Sequence, residues 1–119
     1  MNQHEIRRLQ VIMRLARRLS LTGMNLSGRD LAGIDFRGAD LRGVNFAGAN
    51  LYGANLSGCN LRGANFYCAN LAAANLDRAN LDDTNLKNTN LVGAYFGDPL
   101  ADLLLEIETV EIPVLAQTA

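Results

Sequence analysis

The residues that could do chemistry are few in this sequence, and they are widely separated. The chain has one histidine, His4, and two cysteines, Cys59 and Cys68. A histidine-based catalytic triad or a zinc site needs several such groups close together, and one histidine near a terminus cannot supply them. We therefore predict a non-enzymatic protein without a metal ion or cofactor, in which both cysteines are reduced and structural.

The acidic residues point instead to a repeat. Asp30, Asp35 and Asp40 stand five residues apart. If each group of five residues forms one side of a coil, the three residues lie on three different sides and cannot form a catalytic pair. They belong to fifteen units, from Leu26 to Phe96, in which Leu or Phe returns every fifth residue. In fourteen of these units Asn or Asp comes immediately before the Leu or Phe, and the residue before that is usually small.

A period of five fits neither the 3.6 residues of a helical turn nor the alternation of a flat strand. It fits a chain in which each unit is one short side that ends in a turn, so that four sides close a square coil of twenty residues. Residues twenty apart should then stack in interior columns, with Phe46 directly against Phe66. The four predicted columns are Leu26, Phe46, Phe66 and Leu86; Leu31, Leu51, Leu71 and Leu91; Phe36, Leu56, Leu76 and Phe96; and Leu21, Leu41, Leu61 and Leu81.

Residues 24–97 resemble the pentapeptide-repeat family, whose units read approximately Ala-(Asp/Asn)-Leu-x-x. The segments Ala49-Asn50-Leu51 and Ala69-Asn70-Leu71 are two of the matching units. The resemblance implies an all-β solenoid, a right-handed quadrilateral β-helix of about four coils over residues 21–97. The best-known functional branch of the family imitates DNA and binds DNA gyrase. This sequence departs from that branch because residues 21–97 carry six basic and six acidic residues and no inserted loop.

The repeat has two irregularities, and each leads to a structural prediction. Glycine ends eight successive units, from Gly28 to Gly63, and is then replaced by Cys68, Ala73, Arg78, Asp83 and Asn88, so the turn type is expected to change. The small position holds Met24, Arg29 and Ile34 in the first coil. That coil is expected to be looser, or to open onto a capping element.

Residues 1–20 have apolar side chains at helical spacing and predict a basic amphipathic helix that ends near residues 20–23. The apolar set is Ile6, Leu9, Ile12, Met13, Ala16 and Leu19, and the basic set is Arg7, Arg8, Arg14, Arg17 and Arg18. The simplest role is an N-terminal cap over the first coil. The alternatives are a partner site, or binding to an anionic membrane surface or nucleic acid, although no direct nucleic-acid contact is expected.

Residues 98–119 predict a C-terminal cap or oligomerisation segment. Asp98-Pro99 predicts the start of a short helix, and an extended segment follows it. Residues 1–20 carry five Arg and one Glu, whereas residues 98–119 carry five acidic residues and no basic one. A chain that is basic at one end and acidic at the other could form a homodimer or a head-to-tail oligomer.

The function predicted from the sequence is a rigid rod that self-associates or scaffolds a protein partner. Arginines interrupt every apolar run near the N-terminus, and no segment is apolar enough to span a membrane, so the expected compartment is the cytoplasm. Alternatives are a DNA-mimic binder of gyrase and an anionic-surface binder. The candidate partner-binding residues are Arg7, Arg14, Arg18, Tyr52, Tyr67, Leu103, Leu104, Ile107, Val110, Ile112 and Val114.

Overall fold

The computed structural model describes residues 1–98, and the C-terminal segment predicted from the sequence lies almost entirely outside them. Helix α1 spans Gln3–Ala16 and precedes a solenoid. No strand in residues 1–98 is longer than a single bridged residue. The solenoid is therefore built from turns and one-residue parallel bridges.

The twenty-residue coil predicted from the sequence is confirmed by the bridges between coils. Asn25 bridges Asn45, Asn45 bridges Asn65 and Asn65 bridges Asn85, and all three bridges are parallel. Two backbone hydrogen bonds make up the first of them: the Leu26 amide donates to the Asn45 carbonyl at 2.8 Å, and the Asn45 amide donates to the Met24 carbonyl at 2.9 Å. Parallel bridges on the other sides also join residues twenty apart.

Each side of the coil ends in the same four-residue turn. The Ile34 amide donates to the Leu31 carbonyl, and Gly33, the third residue of the turn, has a φ of 69°. A positive φ at this position is what a type II turn requires, and glycine adopts it without a steric penalty.

The expected change of turn type in the C-terminal half is wrong. Cys68, Ala73, Arg78, Asp83 and Asn88 have φ between 57° and 59°, close to the values of the glycines they replace. At Cys68 and Ala73 the next coil holds this backbone, since the Cys68 amide donates to the Lys87 carbonyl at 3.1 Å and the Ala73 amide donates to the Val92 carbonyl at 2.9 Å, as the Gly53 amide does to Ala72 at 3.0 Å. Arg78, Asp83 and Asn88 adopt the same conformation without such a bond within residues 1–98, so the turn itself accepts a residue other than glycine.

The Asn and Asp residues that precede the core positions have a local role. The side-chain oxygen of Asn65 accepts a hydrogen bond from the amide of Tyr67 at 3.0 Å, and the equivalent Asx turn forms in all fourteen units. Side-chain ladders between coils are weaker. In residues 1–98 the only such contacts are long bonds from Asn50 to Asp30 and from Asn70 to Asn50, at 3.4 and 3.5 Å.

The interior columns form as predicted from Leu21 to Leu76, but the prediction is wrong for Phe96, which is 49% exposed. The ring of Phe46 stacks on that of Phe66 with a centroid distance of 5.1 Å, and Phe36 meets Phe46 edge to face at 6.2 Å. All predicted column members from Leu21 to Leu76 are at most 2% exposed. Within residues 1–98 no polar or charged residue is buried, so the core is apolar.

The two ends of the core differ, and of the two alternatives for the first coil the structure shows the one in which it meets a capping element. Leu21, Leu26 and Ile34 are buried in the first coil. In the last coil Leu81, Leu86 and Leu91 are only partly buried, and Phe96 is 49% exposed. The first coil is closed because α1 packs on it, and the last coil is the open one.

Helix α1 begins at a capping box. The Asn2 side chain accepts from the Glu5 amide at 2.8 Å, and the Glu5 carboxylate accepts from the Asn2 amide at 3.1 Å. The helix ends at Ala16, earlier than the boundary predicted near residues 20–23, because Arg17 leaves helical geometry and Arg18 has a φ of 55°. A short connection then leads into Leu21.

Candidate protein-interaction surfaces

The four sides of the solenoid differ in the outward residues that follow each core position. Backbone hydrogen bonds between coils place residues twenty apart in the same outward column. One side carries Arg37, Ser57 and Asp77, and a second carries Thr22, Arg42, Arg62 and Asp82. The third carries Ser27, Ala47, Tyr67 and Lys87, and the fourth carries Ala32, Tyr52, Ala72 and Val92.

On the fourth side the outward residues that follow the core positions are uncharged, and we call this column the uncharged face; charge is present only at its first-coil end, where Asp30 accepts from the Ala32 amide and Arg8 donates to the Ala32 carbonyl. Its second outward positions, Gly33, Gly53, Ala73 and Gly93, also lack charge. Tyr52 is 55% exposed and Val92 is 76% exposed, whereas Ala32 and Ala72 are partly buried between them. The surface is therefore flat and apolar, and the side chains of Tyr52 and Val92 project from it.

The two tyrosines predicted as partner-binding residues lie on neighbouring sides. Tyr52 is on the uncharged face, and Tyr67, 42% exposed, is on the adjacent side. The exposed thiol of Cys68 follows Tyr67 in the turn. The structure thus places Tyr67 next to the uncharged face and not within it. Tyr95 and Phe96, at the end of the last coil, are also exposed and were not predicted as contact residues, although Tyr95 stands where the other fourteen units have Asn or Asp.

The first and second sides are charged, and two of their three ion pairs within residues 1–98 are local; the third joins Arg62 to Asp83 in the next coil at 3.5 Å. Arg37 donates to both carboxylate oxygens of Asp35, and Arg42 donates to both oxygens of Asp40. These side-chain hydrogen bonds lower the pKa of Asp35 and of Asp40 from their ordinary values. The pairs are exposed, so they mark a solvated surface and contribute little to stability.

Helix α1 packs on the solenoid through residues that the amphipathic pattern did not include. Val11 is fully buried in the common core, and Leu15 packs against that core. Arg8 donates to the carbonyl oxygens of Ala32 at 2.6 Å and Asp30 at 3.3 Å. One of the five N-terminal arginines is therefore a structural anchor. Arg8 stands three residues before Val11 and seven before Leu15, and this helical spacing is the signal that could have identified it.

The apolar residues from which the amphipathic helix was predicted are largely exposed instead. Ile6, Leu9 and Met13 are 40%, 43% and 52% exposed, and their spacing puts them together on the side of α1 opposite Val11. We call these three residues the outer ridge. Ile12 and Leu19 are also exposed, at 41% and 51%. An isolated cap would bury its apolar face, and α1 keeps an additional one in solvent.

Basic side chains border the outer ridge. A shallow groove of ≈ 290 Å³, which we call the arginine groove, is lined by Arg7, Arg14 and Arg17 together with Gln10, Met13 and Leu19. Arg7 donates to Gln10 and Arg14 donates to the Ser20 carbonyl, while the side chain of Arg17 has no hydrogen bond or ion pair within residues 1–98. The structure brings the predicted residues Arg7 and Arg14 together and places Arg18 beside a different groove.

The other predicted contact residues, from Leu103 to Val114, lie outside the described residues. Within residues 1–98, no group of His, Cys, Asp and Glu side chains could hold a metal ion. The same part of the chain contains no helix with the length and apolar character needed to cross a bilayer.

Comparison with known proteins identifies the repeat. The sequence model of the pentapeptide repeats matches residues 20–58 and 64–98 in eight copies. A search of curated proteins gave no match. Among solved structures, the chain is similar to a pentapeptide repeat protein from the cyanobacterium Cyanothece 51142, with 35% identity over 67% of this chain and 62% of that one and a TM-score of 0.42.

Two further solved structures are similar to the chain. One is a pentapeptide repeat protein from Nostoc PCC 7120, with 28% identity over 79% of this chain and 85% of that one and a TM-score of 0.44. The other is HetL, a pentapeptide repeat protein involved in heterocyst differentiation regulation from Nostoc PCC 7120, with 35% identity over 67% of this chain and 41% of that one and a TM-score of 0.32. This chain spans less than two thirds of the Cyanothece protein and of HetL.

The repeat units, their stacking at a twenty-residue period and the match of the family model over most of the chain agree. The chain therefore belongs to the pentapeptide repeat family, and its solenoid is a β-helix of the right-handed kind.

Proposed function

We propose that this protein is a non-enzymatic interaction module, a rigid rod of about four coils that docks a protein partner on its uncharged face. The observation that carries the proposal is the continuous uncharged column from Ala32 through Tyr52 and Ala72 to Val92, on a solenoid whose first and second sides are charged. Interfaces are enriched in Tyr and depleted of charge at their centres, and this column has both properties.

The rigidity of the surface supports this role. Every unit from residue 25 to residue 92 fixes the backbone of its outward residues with an Asx turn, as the Asn50 side chain does by accepting from the Tyr52 amide, and with backbone hydrogen bonds to a neighbouring coil. A backbone held in this way loses little further freedom on binding, which lowers the entropic cost of association.

The net charge of residues 1–98 does not favour the alternative of a gyrase binder that imitates DNA. Residues 1–98 carry eleven basic and eight acidic residues, which is the wrong sign for a surface that imitates DNA. The cytoplasmic location stays a prediction.

The two ends have proposed roles as well. Helix α1 is an N-terminal cap, since Val11 and Arg8 attach it to the first coil. Residues 98–119 are an assembly element, because the coil that precedes them is open and they are acidic and apolar.

Site-specific photo-crosslinking in cells tests the partner surface. Ala72 on the uncharged face and Ser57 on a charged side are both partly buried outward positions, and each can be replaced by a photo-reactive residue. We expect one protein to be captured from position 72 and not from position 57. Equal capture at both positions, or capture only at 57, would refute the proposed face.

A further inference from the structure

We propose that the outer ridge and the arginine groove of α1 bind residues 99–119 of a second copy, joining chains head to tail. This inference rests on the proposed role of the C-terminal segment as an assembly element, and it is independent of the uncharged face. It assigns a specific surface to that segment.

The first step is the exposed apolar surface of α1. Ile6, Leu9 and Met13 form a row on the side of the helix that faces away from the solenoid, and each is at least 40% exposed. A helix that only capped the first coil would need one apolar side, which Val11 and Leu15 already supply. A second apolar side needs an occupant.

The second step is charge. Arg7, Arg14 and Arg17 border the row, and no ion pair within residues 1–98 neutralises any of them. Residues 1–20 carry a net charge of four positive units, from five Arg and one Glu. Residues 99–119 carry four acidic side chains, Asp102, Glu106, Glu108 and Glu111, and no basic one. The net charges of residues 99–119 and of residues 1–20 are therefore equal in magnitude and opposite in sign.

The third step is the apolar pattern of the segment. Leu100, Leu103, Leu104 and Ile107 have the spacing of one helical face, with Asp102 and Glu106 beside it. An apolar row with acidic neighbours is the complement of an apolar row with basic neighbours, in the manner of a helix bound along a groove.

The fourth step is position. Helix α1 is fixed to the first coil through Arg8, and residue 98 follows the last coil, so the helix and the point at which the segment begins are at opposite ends of the solenoid. Coils stack at roughly 4.8 Å, and chains placed end to end bring the segment of one onto the helix of the next. Such a contact is heterologous and can extend beyond two copies.

The test uses complementary charge reversal in the full chain. The helix variant carries Arg7→Glu, Arg14→Glu and Arg17→Glu, and the tail variant carries Asp102→Lys, Glu106→Lys and Glu108→Lys. Arg8, Val11 and Leu15 are left intact so that α1 stays attached. Sedimentation at low salt should show that the wild type self-associates and that each variant alone does so at least about tenfold more weakly.

The decisive sample is the equimolar mixture. The acidic helix of one variant can take the basic tail of the other, so association should return in the mixture and weaken at high salt. A control with equal charge change, Arg62→Glu, Arg78→Glu and Lys87→Glu on the solenoid, should associate like the wild type. A mixture that stays monomeric, or variants that each associate as well as the wild type, would overturn the inference.

The measurements also distinguish two other occupants of the outer ridge and the arginine groove. If a chain's own tail covered its helix, the wild type would be monomeric at every concentration, and the tail variant would speed amide exchange in α1. If the surface served an anionic bilayer, a monomeric wild type would bind phosphatidylserine vesicles, and Leu9→Ser with Met13→Ser would abolish that binding. Either result would overturn head-to-tail association.

Discussion

The ring of Phe46 lies 5.1 Å from the ring of Phe66, twenty residues later, with 6° between their planes. Both side chains are fully buried. This contact joins successive coils at the level of the core, and Phe36 meets Phe46 edge to face in the same interior. The stack therefore sits where the solenoid is most completely enclosed.

Removal of one ring from this stack should destabilise the whole solenoid. Phe66→Ala leaves a cavity among buried side chains and is expected to cost about 3–5 kcal/mol in the free energy of unfolding. Phe96→Ala changes the same residue type at the same position of its unit, but Phe96 is 49% exposed, so its loss should cost much less. Urea unfolding measures both. Similar losses in the two variants would contradict the open last coil.

The Asx turns predict a difference between two substitutions of one residue. Asn65→Ala removes the acceptor for the Tyr67 amide and should cost about 1 kcal/mol, whereas Asn65→Asp keeps an acceptor in the same place and should cost less. The comparison is made by thermal unfolding of the two variants beside the wild type. If Asp is as destabilising as Ala, the side-chain oxygen is not what holds the turn.

The left-handed turn residues predict that one substitution stabilises the protein and its counterpart destabilises it. Ala73→Gly removes a Cβ that disfavours positive φ, and we expect a gain of about 0.5–1 kcal/mol. Gly53→Ala, one coil earlier in the same column, should lose a similar amount. No atom lies within 4 Å of the added Cβ, so the loss would be conformational and not steric.

Chemical denaturation of these two variants gives the sign of each change. Destabilisation by Ala73→Gly would mean that the alanine methyl group makes a compensating contact in the folded state.

The anchor of α1 predicts local and not global loosening. Arg8→Gln should lose the bonds to the Asp30 and Ala32 carbonyls and raise the amide exchange rate throughout α1, while the coil amides stay protected. Arg17→Gln is the matched control, because the Arg17 side chain makes no bond within residues 1–98. Equal acceleration of exchange in both variants would argue that charge, and not the two hydrogen bonds, attaches the helix.

The two thiols should differ sharply in reactivity. Burial raises the pKa of Cys59 from its ordinary value of 9.0 to about 11, and its thiol donates to the Phe36 carbonyl, whereas Cys68 is exposed. A disulfide reagent at pH 8 should therefore label one thiol in the folded protein, and Cys68→Ser should abolish that labelling.

The raised pKa also fixes the sign of a stability change. The neutral Cys59 thiol is favoured by folding, so its contribution is fully present below pH 9 and is lost as the pH rises from about 9 to about 11. The loss should reach about 2–3 kcal/mol and be absent in Cys59→Ala. An alkaline unfolding series on both proteins checks this.

The sequence predicted the architecture because its repeat has no slip. A twenty-residue coil follows from the five-residue period, and the stacking of Phe46 on Phe66 follows from the coil. The turns at Cys68 and Ala73 could not be judged from residue type alone, since hydrogen bonds from the next coil override local preference.

The packing of α1 shows a different limit. Val11 and Leu15 form one apolar row, and Ile6, Leu9 and Met13 form another on the opposite side. Helical spacing is satisfied by both rows, so periodicity cannot decide which row meets the core. Only the position of the helix on the first coil, with Arg8 bonded to two carbonyls, decides it.

The central claim is that a protein partner docks on the uncharged face. Its most direct test is the affinity of this chain for the partner that is captured by crosslinking from position 72. Titration calorimetry compares the wild type with Tyr52→Ser, Val92→Ser and with the charged-side variant Arg42→Gln, Arg62→Gln. We predict at least about a tenfold loss of affinity for the first double variant and less than about twofold for the second. Unchanged affinity for the first variant, or a larger loss for the second, would contradict the account.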